Sequence, residues 1–122
     1  MPLRFVVAIS LLFCPSVFEA REIKHRVALK PNQTQMIIAG GVPKPDDVVI
    51  YALQAQAGQH IFIRVEPDKK LVAQALLVPP SGKQVGPGAE VDFVADQSGI
   101  FQIRIMPRER SSGTFRLYLS VR

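Results

Sequence analysis

The sequence predicts an all-β fold: a single β-sandwich of about eight antiparallel strands, preceded by a signal peptide. Three observations carry that expectation. Apolar and polar residues alternate in one segment after another. Gly- and Pro-rich turn signals separate those segments at short intervals, and no stretch repeats with a helical period.

Residues 1–20 stand apart from the rest. Arg4 supplies a basic start, Phe5 to Cys14 is a nearly unbroken apolar run, Pro15 interrupts it, and Ala20 precedes the charged "REIKHR". This is the order of a secretory signal. The run is well short of the ~20 residues that cross a bilayer as a helix, so no transmembrane segment is expected. Cys14 follows Phe13, where a lipid-bearing cysteine would follow Gly, Ala or Ser, so it reads as part of the apolar run rather than as a lipoprotein anchor. Cleavage at Ala20 leaves residues 21–122 as one domain without cysteine, an exported protein that uses no disulfide and suits a bacterial periplasm.

Within 21–122 the strands follow in order. Weaker patterns lie near 22–29 and 90–94. "VVIYALQA" (48–55) turns Tyr51 and Leu53 inward, while its outward Ile50 and Ala52 suggest a flank covered by another segment. "HIFIRVE" (60–66) sets Ile61, Ile63 and Val65 against Phe62, Arg64 and Glu66. "FQIRIM" (101–106) sets Phe101, Ile103 and Ile105 against Gln102 and Arg104. "FRLYLSV" (115–121) sets Phe115, Leu117, Leu119 and Val121 against Arg116, Tyr118 and Ser120. Turn signals stand at 39–41 (AGG), 43–47 (PKPDD), 57–59 (AGQ), 67–70 (PDKK), 79–83 (PPSGK), 86–88 (GPG), 97–99 (QSG) and 108–113 (RERSSG). The inward set predicts a core of Val49, Tyr51, Leu53, Ile61, Ile63, Val65, Leu77, Phe93, Phe101, Ile103, Ile105, Phe115, Leu117 and Leu119.

Charge narrows the partners. Fifteen Lys and Arg against ten Asp and Glu give +5, and losing Arg4 and Glu19 with the signal leaves that balance unchanged. The basic residues are scattered, with no run longer than Lys69-Lys70, whereas nucleic-acid proteins gather them on one patch. Nucleic acid, which an exported protein seldom meets, is therefore set aside; the scattered charge reads as a solvated basic surface, with attraction to an anionic envelope polymer or partner as the sharper alternative.

Little chemistry is visible. His25 and His60 stand alone, so no metal site is expected, and Asp46-Asp47 reads as a solvated turn rather than a calcium site. The serines of PSG, QSG and RSSG all sit in glycine turns, where serine bonds local backbone. A set of Ser98, His60 and Asp96 can be written down, but no spacing supports it. The GxSxG elbow and phosphate-binding glycine loops are missing, so neither an enzyme nor a cofactor is expected. "NQT" at 32–34 matters as a glycosylation acceptor only in a eukaryotic secretory pathway.

The landmarks resemble a known family. "DDVVIYALQAQAGQHIFIRVE", "VPPSGKQV", "QSGIFQIRI" and "SSGTFRLYLSV" are similar, in order, to the bacterial pre-peptidase C-terminal domain over roughly residues 36–122. That resemblance implies a jelly-roll-like β-sandwich that serves as a non-catalytic module. The free-standing form also resembles the periplasmic inhibitors of invertebrate-type and goose-type lysozymes, in which a loop around an "SG.Y" motif enters the lysozyme cleft. Ser98 and Gly99 match the motif, and Phe101 stands where the tyrosine would be. A net charge of +5 opposes approach to a basic lysozyme.

Two functions from different surfaces result. The first is an exported, non-catalytic module of the bacterial envelope that binds a protein or glycan through an outward row of Arg64, Gln102, Arg104, Arg116 and Tyr118. Adjacent strands would there focus positive potential, and Tyr118 would add a stacking platform. The alternative is a periplasmic lysozyme inhibitor acting through Ser98, Gly99 and Phe101. Ser98-Gly99 otherwise simply closes a turn before Phe101, the first inward residue of the next strand. A structural subunit of a larger assembly is a third possibility, and its mark would be an open edge strand.

Overall fold

Alternating strands need a second apolar face to cover their own, and in the computed structural model, which describes residues 21–122, two sheets provide it. The strands in chain order are β1 (Glu22–Val27), β2 (Gln35–Val42), β3 (Val48–Ala55), β4 (His60–Pro67), β5 (Val72–Val78), β6 (Val85–Gly88), β7 (Glu90–Val94), β8 (Gly99–Arg108) and β9 (Gly113–Val121). The five-stranded sheet runs β1-β3-β8-β5-β6 and the four-stranded sheet β2-β9-β4-β7. The fold is the all-β sandwich expected from the sequence. The signal region and Cys14 lie outside the described residues.

Nine strands form where about eight were expected, and the patterns near 22–29 and 90–94 become β1 and β7. One pairing departs from the antiparallel expectation: β1 lies parallel to β3, with His25 opposite Tyr51. The chain leaves the first sheet after β1, crosses to the other sheet as β2, and reverses again before β3. Two reversals return it in its original direction.

Two stretches read as turns are strands. Ala39–Gly41 lies inside β2, and Gly86–Gly88 inside β6. Gly40 is there for close packing, since a Cβ would collide with the Tyr51 hydroxyl and come within 2.7 Å of the Phe115 ring. β6 is a short edge strand whose register slips between Ala75 and Leu77 on β5, a position that tolerates Pro87.

The core follows the inward set closely. Ile61, Ile63, Leu77, Phe101, Ile103, Ile105 and Leu117 are completely buried, and Val49, Tyr51, Leu53, Val65, Phe115 and Leu119 nearly so. Only Phe93 of the expected set is half-buried, because β7 is an edge strand that packs against the core from the side. In transfer terms each such side chain stabilises by ~1.5–3 kcal/mol before chain entropy is counted. Ile50, read as outward, is buried on the outer face of the five-stranded sheet among side chains of its own sheet, between Lys24 and Arg104 in register, with Leu76 on the other side of Arg104; Ala52 is half-buried.

The register sends the turns 56–59, 79–84 and 95–98 to one end of the sandwich. The opposite end is tied by side chains. Asp68 accepts hydrogen bonds from the amides of Lys70, Leu71 and Thr114 and from the Thr114 hydroxyl, at 2.8–3.0 Å. Those bonds hold its carboxyl down at about 2. Ser111 ties to β5, donating to the Val72 carbonyl and accepting from the Val72 amide.

Candidate functional site

The loop end is built by three turns that hold one another. Ser98 Oγ accepts a hydrogen bond from the Ala57 amide at 2.9 Å, across 41 positions of sequence. The Gly58 amide donates to the Ala95 carbonyl at 2.7 Å, and the Ala95 amide donates to the Gln59 carbonyl at 2.8 Å. Gly58 has φ +91°, which a side chain would strain, so the AGQ turn needs its glycine. The third turn leans in through Pro80, whose Cγ would lie 2.9 Å from a Cβ on residue 99.

Of the loop residues singled out from the sequence, Ser98 is exposed, Gly99 is half-covered by Pro80, and Phe101 is in the core at 0% exposure, tilted against Phe93 with ring centroids 6.3 Å apart. Phe101 therefore offers nothing to a partner. The exposed surface is instead Gln56, Ala57 and Gly58 with Asp96, Gln97 and Ser98. The first three residues escaped the sequence reading because joining two distant turns requires the sheet topology. Across 56–59, 79–84 and 95–98 the charged residues are Lys83 and Asp96, one of each sign, so the +5 of the whole chain is carried elsewhere.

The expected basic row is divided by the topology, which corrects the idea that the strands of Arg64 and Arg104 adjoin. β4 pairs with β9 and β7, whereas β8 pairs with β3 and β5. Arg64, Arg116 and Tyr118 therefore lie on the outer face of the four-stranded sheet, and Gln102 and Arg104 on the outer face of the other. Alternation decides inside from outside but not which sheet. Arg104 donates to Glu22 at 2.7 Å, and Arg64 lies 4.3 Å from the Tyr118 ring centroid, whose hydroxyl donates to Glu66 at 3.4 Å. Arg116 is exposed. A shallow groove of about 330 Å³ crosses this face between Gln35, Ile37, Phe62, Arg64, Glu90 and Tyr118.

No catalytic constellation assembles from the residues considered. His60 pairs with Asp92 rather than with Ser98, and Ser98 is occupied by the Ala57 amide. Asp47 is buried and ion-paired with Arg21 at 2.8 Å; that guanidinium holds its carboxyl below the usual carboxylate range. His25 stacks on Tyr51 with centroids 5.3 Å apart. Among the described residues, no three His, Cys, Asp or Glu side chains gather in a way that could hold a metal ion. No described helix is long and apolar enough to cross a membrane.

No protein-family model matches the chain, and no curated protein sequence does. The sandwich itself has solved counterparts. It is similar to PliG of Aeromonas hydrophila, a periplasmic inhibitor of g-type lysozyme, with a TM-score of 0.72 and 15% identity over 84% of this chain and 99% of that one. PliG of Salmonella Typhimurium, with the same activity, gives a TM-score of 0.66 and 14% identity over 82% and 98%. The pre-peptidase C-terminal domain of a Bacillus anthracis collagenase gives 0.57 and 16% over 84% and 96%. The chain has the sandwich fold that the inhibitors and the pre-peptidase domain share. At such identities the likeness shows fold alone.

Proposed function

We propose that this chain is an exported, non-catalytic inhibitor of a g-type lysozyme, and that it meets the enzyme with the loop end carrying Gln97 and Ser98. The observation that carries this reading is likeness over nearly the whole length of two such inhibitors. Three features of the loop end support it. The turns are cross-tied by the Ser98–Ala57 and Gly58–Ala95 bonds, so little ordering remains to be done on binding. Their exposed groups are mostly amides and hydroxyls, which suit a cleft built for sugars. The end is close to neutral, so the net +5 does not set like charges face to face at the contact.

Export to the periplasm through removal of residues 1–20 belongs to the same reading. The direct experiment is turnover of a bacterial cell-wall suspension by goose-type, chicken-type and invertebrate-type lysozymes, with and without the purified protein. Selective loss of goose-type activity is expected. Equal turnover by all three classes at micromolar protein would overturn the proposal.

The groove on the four-stranded sheet favours a second reading, an envelope module that binds a glycan or protein there. Phe62 and Tyr118 supply aromatic surface and Arg64 with Glu90 supply polar contacts. It ranks second because Arg64 already covers the Tyr118 ring and Arg104 is held by Glu22 on the other sheet.

A further inference from the structure

A sandwich of two open sheets has four edge strands, and three of them here carry devices that discourage pairing. β1 (EIKHRV) has Glu22, Lys24 and Arg26; β6 (VGPG) is four residues long and contains Pro87; β7 (EVDFV) is short and has Glu90 and Asp92. β2 (QMIIAGGV) is different. It is eight residues long, has no charge and no proline, and exposes Ile37 at 64%.

Its backbone is also available. The Val121 amide donates to the Thr34 carbonyl at 2.8 Å, which fixes the phase of the β2–β9 ladder. In an antiparallel ladder such groups alternate sides, so the amides and carbonyls of Ile37, Ala39 and Gly41 point away from β9. Among the described residues no strand lies there. The Gln35 carbonyl points the same way and is met by the Gln33 side chain at 3.1 Å.

The side of the sandwich next to this edge is incompletely closed. A groove of about 620 Å³ opens between β1 and β2, lined by His25, Val27, Met36, Ile38, Gly40 and Tyr51. Met36 and Ile38 point inward and are only half-buried, the reverse of their counterparts Leu117 and Leu119 on β9. Core-facing side chains at an open edge are what a neighbouring strand would cover.

We infer that β2 is a self-association edge: two copies of this chain pair β2 with β2, antiparallel about a two-fold axis at Ile38, and join their four-stranded sheets into one. That register sets Ile37 opposite Ala39 and Gln35 opposite Gly41, so every outward-pointing residue of β2 meets one of the other copy. The inward Met36 and Ile38 of each copy then extend the inner layer across the open groove of the other.

The second copy is favoured over a foreign segment by symmetry. Two chains of +5 repel at long range, but an uncharged β2 seam sets no charged side chains against one another, as pairing at β1 or β7 would. An antiparallel edge centred on one residue is self-complementary under a two-fold axis, which makes the contact closed. β2 presents no charged group with which to select a peptide of another sequence. The 56–59 and 95–98 turns remain free in such a dimer and face opposite directions.

Sedimentation equilibrium across a concentration series tests this on the purified protein, together with Ile37→Lys, Ala39→Pro and, on the β1 edge, Arg26→Glu. Wild type and Arg26→Glu are expected at twice the chain mass, with association strengthened by salt because repulsion is screened. Ile37→Lys places a charge in the seam, and Ala39→Pro removes an outward amide without touching the β9 ladder. Both are expected to sediment as monomers with unchanged circular dichroism and a Tm that, unlike that of wild type, does not rise with protein concentration. Wild type that stays monomeric throughout, or an Ile37→Lys chain that dimerises as wild type does, would overturn the inference. If Ala39→Pro does not fold, Ile37→Lys decides alone, since its side chain lies outside the core. Lysozyme turnover in the presence of the monomeric variants separates this edge from the loop end, because loss of the dimer leaves that end intact.

Discussion

Ser98 and Ala57 are 41 residues apart in sequence and joined by one hydrogen bond of 2.9 Å, from the Ala57 amide to the serine oxygen. That bond ties the turn before β4 to the turn before β8 and makes one surface of two loops. A serine used this way is a brace, and a partner would read the surface it braces. Ser98→Ala is therefore expected to lower stability by no more than about 1 kcal/mol, the usual net worth of such a bond, while weakening lysozyme inhibition several-fold. Ser98→Arg adds bulk and charge to the same place and is expected to abolish inhibition. Inhibition titrations beside thermal melts read both effects. Unchanged inhibition by Ser98→Arg would remove the loop end from the mechanism.

Asp68 gives the opposite end a pH dependence. Its carboxylate accepts from three amides and the Thr114 hydroxyl, and these bonds hold its pKa at about 2 in the folded chain. An unfolded aspartate titrates near ~3.9. The unfolded state therefore binds more protons between those values, and stability rises with pH across that window. The contribution is complete above about pH 4 to 5 and is lost as pH falls toward 2. Asp68→Asn is expected to melt lower at neutral pH and to show a flatter Tm between pH 5 and 2 than wild type. Parallel curves for the two proteins would assign the acid sensitivity to other groups.

Much of this sandwich was legible because one face of most strands is wet. Ile61, Ile63 and Val65 alternate with Phe62, Arg64 and Glu66, and that pattern has only one reading. What could not be read was which strands share a sheet. Arg64 and Arg104 have the same sequence signature, an arginine between two buried residues, and they lie on opposite outer faces because β4 pairs with β9 and β8 with β3. The turn signal at residues 39–41 failed for a related reason: Ala39, Gly40 and Gly41 looked like a turn, yet Gly40 is small because Tyr51 and Phe115 press against it from elsewhere in the chain. The loop end lost Phe101 and acquired Gln56 and Ala57 by the same long-range pairing.

Gly40 should therefore be intolerant in a way its strand position does not suggest. A Cβ at this site meets the Tyr51 hydroxyl and the Phe115 ring, both on buried side chains with little room to move. Overpacking of this kind costs about 1–3 kcal/mol. Gly40→Ala is expected to destabilise by that amount, measured by urea unfolding. Tyr51→Phe in the same chain removes the hydroxyl in the way and is expected to recover part of the loss. Gly41→Ala, whose Cβ would meet the Gly113 carbonyl at 3.3 Å, is expected to cost less. Equal effects at the two glycines would show that strand propensity, rather than the Tyr51 contact, governs the site.

The two outer faces can be told apart by charge reversal. Arg64 stacks on Tyr118 beside the groove of the four-stranded sheet, and Arg104 is paired with Glu22 on the other face. Their separation means that substitutions at the two sites are independent and their effects additive. If the groove binds an anionic envelope component, Arg64→Glu is expected to abolish retention on isolated cell envelopes, Arg116→Glu to weaken it, and Arg104→Glu to leave it unchanged. Stability should change little at Arg64, because an exposed cation–π contact contributes about 0.5–1 kcal/mol. Arg104→Glu sets a like charge against Glu22 and is expected to lower Tm slightly with no effect on retention. Retention that responds equally to Arg64→Glu and Arg104→Glu would point to bulk charge, since no single small ligand touches both faces of a sandwich.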